Sequence, residues 1–180
     1  DVLRYYEIDP QVEDLARQQF TYLQDASDRG ATVDVLLGDG RIVLERQRDA
    51  GDRQRFDVFV MDAFNSDSVP VHLLTKQALA LYLDHLAEGG MVAVNVSNRF
   101  LDLTPVVRAL AEDARLEVRL FVSVDSVERG TNRSEFVILT ANRAFLDSEK
   151  VKAEADPLPT VEEPLLWSDE YSALLPLLRF

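Results

Sequence analysis

Cysteine is absent from the 180-residue sequence, which excludes disulfides, thiolate zinc sites and a cysteine nucleophile, and agrees with a reducing compartment. Histidine is scarce: His72 and His85 stand alone, too few for an imidazole-rich metal centre, and both read as packing or surface residues. No metal is expected. No apolar run approaches the ~18 residues of a membrane-spanning helix. The sequence opens on Asp1 with neither a basic n-region nor an initiator Met, so we expect no signal peptide and a piece of a longer chain. The sequons at Asn95 and Asn132 carry little meaning without a secretory signal. Positive charge is also in short supply, with 19 Lys and Arg against 32 Asp and Glu, a net charge of -13. Such a field repels phosphates, so nucleic acid is not an expected partner, whereas a cationic amine is compatible with it.

What is present alternates between strand and helix patterns. Residues 2–8 read as a strand, and Asp9-Pro10 opens a helix to about 24 with apolar positions at helical spacing. Strand 32–37 stops at Gly38-Asp39-Gly40 before a helix over 41–48. Strand 55–61 is nearly all apolar after Asp57, the pattern of a strand buried on both faces. An amphipathic helix over 71–87, a candidate homodimer face whose apolar stripe also suits core packing, precedes Glu88-Gly89-Gly90 and a strand over 91–96. A helix over 103–114, with Thr104-Pro105 at its start, leads to strands 117–124 and 135–140 joined by a hairpin loop. Residues 147–163 are polar and read as a linker, and the apolar tail returns to the same domain, whose body is 1–146. The order implies an α/β, doubly wound, mostly parallel sheet with one antiparallel strand.

Ligands of open α/β sheets bind beyond the carboxyl ends of the strands, where three successive strands here end in acid. Glu7 can accept from two ribose hydroxyls, Asp39 lies between glycines where a ligand can approach, and Asp62 sits where a reacting carbon would lie. Ser97-Asn98-Arg99, after the fourth strand, falls on the same edge, either touching substrate or capping the next helix. A glycine-rich loop should lie ~20 residues before the ribose acid, yet only six residues precede Glu7.

The series "YEIDPQV", "LLGDGR", "FDVFVMDAFNSDSVPVHLLTKQAL", "LAEGGMVAVNVSNRFLDL" and "LLWSDEYSALL" resembles the spermidine synthase family, most closely its bacterial members often fused to membrane segments. The resemblance implies a Rossmann-like class I methyltransferase fold, N-terminally incomplete because it lacks its first strand and glycine-rich loop. That strand sits between the ones ending in Glu7 and Asp62. The implied reaction moves an aminopropyl group from decarboxylated S-adenosylmethionine to a polyamine-type amine, without a metal. Glu7 and Ile8 would hold the ribose side of the donor and Asp39 and Gly40 its adenine. Asp62 would orient and deprotonate the amine, with Asn65 and Asp67 beside it. Family members usually follow the catalytic aspartate with two small residues and another aspartate. Here Ala63-Phe64-Asn65 follows, Asp67 is displaced, and Phe64 is expected to put bulk where the amine would lie.

Two other readings stand beside aminopropyl transfer: methyl transfer from S-adenosylmethionine on the same fold, and a non-catalytic domain of a larger chain with membrane segments. In each, the domain itself is expected to be soluble and cytoplasmic.

Overall fold

A computed structural model of the chain describes residues 1–64, 69–126, 128, 130–159 and 165–179. Two compact units emerge, Asp1–Asp52 and Arg53–Phe180.

In the first unit, β1 (Val2–Glu7) and β2 (Thr32–Leu37) pair in parallel, in register from Val2 opposite Thr32 to Glu7 opposite Leu37. Arg4 and Asp34 face each other across the pair at 2.7 Å. The crossover contains two helices, α1 (Pro10–Gln19) and α2 (Tyr22–Asp28), where the sequence pattern suggests one. The break falls at Phe20, which is extended (φ -126°, ψ 153°). Phe20, Thr21 and Tyr22 are aromatic or β-branched, which weakens the helix there. Helix α3 (Gly40–Asp49) follows β2 and buries Leu44.

In the second unit, β3 (Phe56–Met61), β4 (Leu86–Asn95), β5 (Glu117–Ser123) and β6 (Ser134–Thr140) form a sheet in the order β3-β4-β6-β5. β3 and β4 are parallel, and β6 runs antiparallel to both of its neighbours, so it is the one reversed strand. Helix α4 (Lys76–Asp84) covers one face through Phe59, whose ring stacks on Tyr82 at 4.6 Å. Helix α5 (Thr104–Asp113) adds buried Val106, Val107 and Leu110.

Four local expectations change. The helix expected over 71–87 is shorter, because a 3-10 turn at Val71–Leu73 gives way to Thr75, whose hydroxyl caps α4 at Ala78 N (3.2 Å). It ends at His85, fully buried, whose Nδ1 accepts from Gln54 N (3.2 Å) and whose carbonyl accepts from Phe56 N (2.8 Å). β4 then starts at Leu86 and continues through Gly90, where a Cβ would lie 2.7 Å from the Phe56 carbonyl. Only glycine fits that approach. β3 is covered on one face only: Met61 is buried, while Val58 and Val60 are 50% and 56% exposed. Within 147–163 a short helix, α6 (Arg143–Leu146) having ended, forms as α7 (Glu149–Glu154) on a Ser148 cap. No helix among the described residues is long and apolar enough to cross a membrane.

Candidate functional site

The first unit gathers Glu7, Ile8, Asp39 and Gly40 at one sheet edge. Parallel register brings Glu7 level with Leu37, and Gly38 N donates to the Glu7 carbonyl at 2.8 Å. The chain can turn there because Gly38 adopts φ +135°, which side chains rarely tolerate. Glu7 Oε1 accepts from Asp9 N at 2.9 Å, which fixes the carboxylate at the strand tip, and its other oxygen has no partner among the described residues. Ile8 is exposed beside it. Asp39 has a structural duty as well, since its Oδ1 accepts from Ile42 N at 3.0 Å as the N-cap of α3. Gly40 is the first residue of that helix, where amide N–H groups lack intrahelical acceptors and the helix dipole is positive.

Tyr6 supports this edge from behind: its hydroxyl donates to Gln47 Oε1 at 2.9 Å, tying β1 to α3. Its phenol is pushed up to about 12, chiefly by burial, with Asp52 adding to the rise and Arg4 and the Gln47 bond opposing it. In the unfolded chain the phenol ionises near its ordinary 10.0, before the folded one does. Stability is therefore intact below pH 10 and declines as pH rises from 10 towards 12. In alkaline titrations followed by circular dichroism, Tyr6→Phe should flatten that decline. An unchanged slope would show that Tyr6 does not govern it.

The second unit has an acid of its own at a strand end. Asp62 follows the last residue of β3 and is exposed, and Asn95 is the last residue of β4. Asn95 Nδ2 donates to Asp62 Oδ1 at 2.6 Å, while Asn95 Oδ1 accepts from Ser97 N at 2.9 Å. The amide is thus held from both sides and presents its donor end to the carboxylate. The sequence marks Asn95 only as a sequon asparagine, and its place at the end of the strand after the Asp62 strand is the signal that points to it. Phe64 is 3% exposed, so its ring is packed in the interior rather than standing in open space beside Asp62. Asn65 and Asp67, expected to help bind the amine, lie outside the described residues. Among the described residues no group of three or more His, Asp or Glu side chains is placed to hold a metal ion.

No family model matches the chain. A polyamine aminopropyltransferase of Vibrio vulnificus (strain CMCP6) is 32% identical over 89 residues, 49% of this chain and 27% of that protein. The spermidine synthase of Thermotoga maritima superposes over 93% of this chain and 54% of its own, with a TM-score of 0.56 at 15% identity. A spermidine synthase in complex with the transition-state analogue AdoDATO gives a TM-score of 0.55 at 15% identity, over 93% and 53%. The matched region thus spans about a quarter of the curated relative and the chain about half of the solved structures. At these identities the structural likeness shows the fold, a class I methyltransferase-like α/β arrangement.

Proposed function

We propose, for a chain that is spermidine synthase-like in sequence and in fold, that it forms part of an aminopropyltransferase using decarboxylated S-adenosylmethionine and a small-molecule amine. The observation that carries this reading is the Asp62–Asn95 contact of 2.6 Å at the tips of neighbouring parallel strands. It holds a carboxylate at the strand edge, where an amine can be received, without burying it.

The acceptor nitrogen attacks the methylene carbon beside the sulfonium. A C–N bond forms, the C–S bond breaks with its electron pair going to sulfur, and methylthioadenosine leaves. The new ammonium gives up one proton. An amine is mostly protonated at neutral pH, so the reaction needs a group that orients it and takes the proton from the nitrogen. Asp62 fills that role. Glu7, with Ile8 beside it, takes the ribose and Asp39 with Gly40 takes the adenine. Glu7 and Asp39 would take S-adenosylmethionine in the same way, since it differs only in its carboxylate. A cytoplasmic setting agrees with the absence of cysteine.

Calorimetric titration of the full protein with decarboxylated S-adenosylmethionine, S-adenosylmethionine and methylthioadenosine tests this assignment. Tightest binding of the decarboxylated donor is expected, with Asp39→Ala weakening it at least tenfold. That variant also loses the α3 cap, worth about 1 kcal/mol. Asp39→Ser keeps a capping oxygen but not the reach, so it should weaken donor binding while preserving stability. A preference for the intact donor would move the reading to methyl transfer. No binding by any of the three would sink both.

A further inference from the structure

In a chain with a net charge of -13, three arginines converge on one pocket. The pocket, about 240 Å³ and open to solvent, is lined by Ser97, Asn98, Arg99, Arg133, Glu135 and Arg179. It lies at the carboxyl end of β4, the same edge as Asp62. β6 is antiparallel, so its first residues come to this edge too, and Val96 N donates to the Glu135 carbonyl at 2.9 Å.

The loop after β4 is built to hold this shape. Asn98, 5% exposed, accepts on Oδ1 from Phe100 N and Leu101 N, both at 2.9 Å, which closes a tight turn with Arg99 on its outside. The tail is clamped onto that turn: Asp102 N donates to the Leu177 carbonyl at 2.7 Å, and Arg179 N to the Phe100 carbonyl at 2.8 Å. Glu135, with a side chain only 14% exposed, fixes two guanidinium groups, Arg133 at 2.6 Å and Arg179 at 3.9 Å. Asp102 lies 3.8 Å from Arg179. Arg99 packs over the Phe100 ring at 5.5 Å and has no carboxylate partner among the described residues.

Glu135 and Asp102 thus engage the guanidinium groups of Arg133 and Arg179, and Asp125 Oδ1 accepts from Arg133 N at 2.5 Å, so Arg99 is the guanidinium of the pocket left to receive an anion. The charge of the rest of the molecule opposes an incoming anion, but exposed charges are screened beyond about 8 Å at physiological salt. Guanidinium groups in direct contact dominate within that range, and their fork geometry suits a carboxylate.

We infer that this pocket binds a carboxylate carried by the acceptor, which is then an amino acid with a side-chain amine rather than a plain diamine. The inference rests on the amine-acceptor reading of Asp62. The connection is short: Asn95 donates to Asp62 and accepts from Ser97 N, and Ser97 lines the pocket. Two residues of extended chain span roughly 7 Å. An acceptor with its amine at Asp62 therefore brings a carboxylate a few methylene groups away to the Ser97 side of the pocket, which Arg99 also lines.

Ornithine and putrescine differ only by that carboxylate, and calorimetry on the full protein compares them. Putrescine carries the greater positive charge, so the overall field of the protein favours it, and a preference for ornithine must come from the pocket. Ornithine should bind at least tenfold tighter, and Arg99→Gln should erase that advantage while leaving putrescine affinity unchanged. Arg133→Gln should weaken ornithine in the same direction, with thermal melts reporting that both variants fold. Equal affinities, or an Arg99→Gln variant with ornithine binding intact, would overturn the inference. Product mass spectrometry with decarboxylated S-adenosylmethionine separates the two levels. Ornithine preference without aminopropylated product leaves the pocket standing and removes the aminopropyl reading. Product from putrescine alone keeps that reading and removes the pocket.

Discussion

Asp62→Asn is expected to lower kcat for aminopropyl transfer by about 10²–10⁴-fold, the range associated with a positioned general base. The substitution is nearly isosteric, and an amide oxygen at position 62 can still accept from Asn95 Nδ2, so the strand tips keep their hydrogen bond. Asp62 is exposed, so no buried charge is lost and stability should stay within about 0.5 kcal/mol, as for other surface substitutions. What disappears is the negative charge that orients a cationic amine and receives its proton. Asn95→Ala should act through Asp62 and cost less, because it releases the carboxylate without removing it. Steady-state kinetics with the preferred acceptor, across pH, decide the matter. A variant within threefold of the native rate would show that the reaction does not pass through Asp62.

Trp167→Ala is expected to destabilise the second unit by about 3–5 kcal/mol, the usual cost of truncating a large buried aromatic. Trp167 is fully buried, and its carbonyl accepts from Lys76 N at 2.9 Å, so the tail is anchored at the start of α4. Two residues on, Asp169 Oδ1 accepts from the Thr75 hydroxyl at 2.7 Å, the same hydroxyl that caps α4. Emptying the Trp167 site would leave a cavity and loosen this junction. Trp167→Phe should cost less, because an aromatic ring still fills most of the site. The indole Nε1 is buried without a hydrogen-bond partner among the described residues, and removing an unsatisfied donor recovers part of the lost packing. Urea unfolding followed by circular dichroism gives both values. A Trp167→Ala cost below 1 kcal/mol, or a Phe variant as unstable as the Ala one, would refute this view of the tail.

β1 and β3 are each an edge strand of their own sheet. Among the described residues β1 pairs only with β2, and β3 only with β4. Val58 and Val60 on β3 and Val2 and Leu3 on β1 are exposed. An edge strand with unpaired backbone groups and bare valines is an aggregation hazard. It also explains why an all-apolar strand pattern overstated the burial of β3. The pattern reports what a strand is suited to, whereas coverage depends on what lies against it.

Sequence by itself determined the order of strands β1 to β6, the acids at the ends of β1, β2 and β3, and the glycines that make room at Gly38 and Gly40. Period and turn chemistry are local properties, set by residues a few positions apart. β2 accordingly runs over 32–37 as its pattern indicates. Only the tertiary structure decided where α4 begins and ends, because its cap answers to Asp169, 94 positions away, and its end to the burial of His85. Only the tertiary structure set Asn95 against Asp62, 33 positions earlier, and brought Arg99, Arg133 and Arg179 to one pocket. Such contacts follow from strand order and register, and no short stretch of sequence encodes which strand will lie beside it.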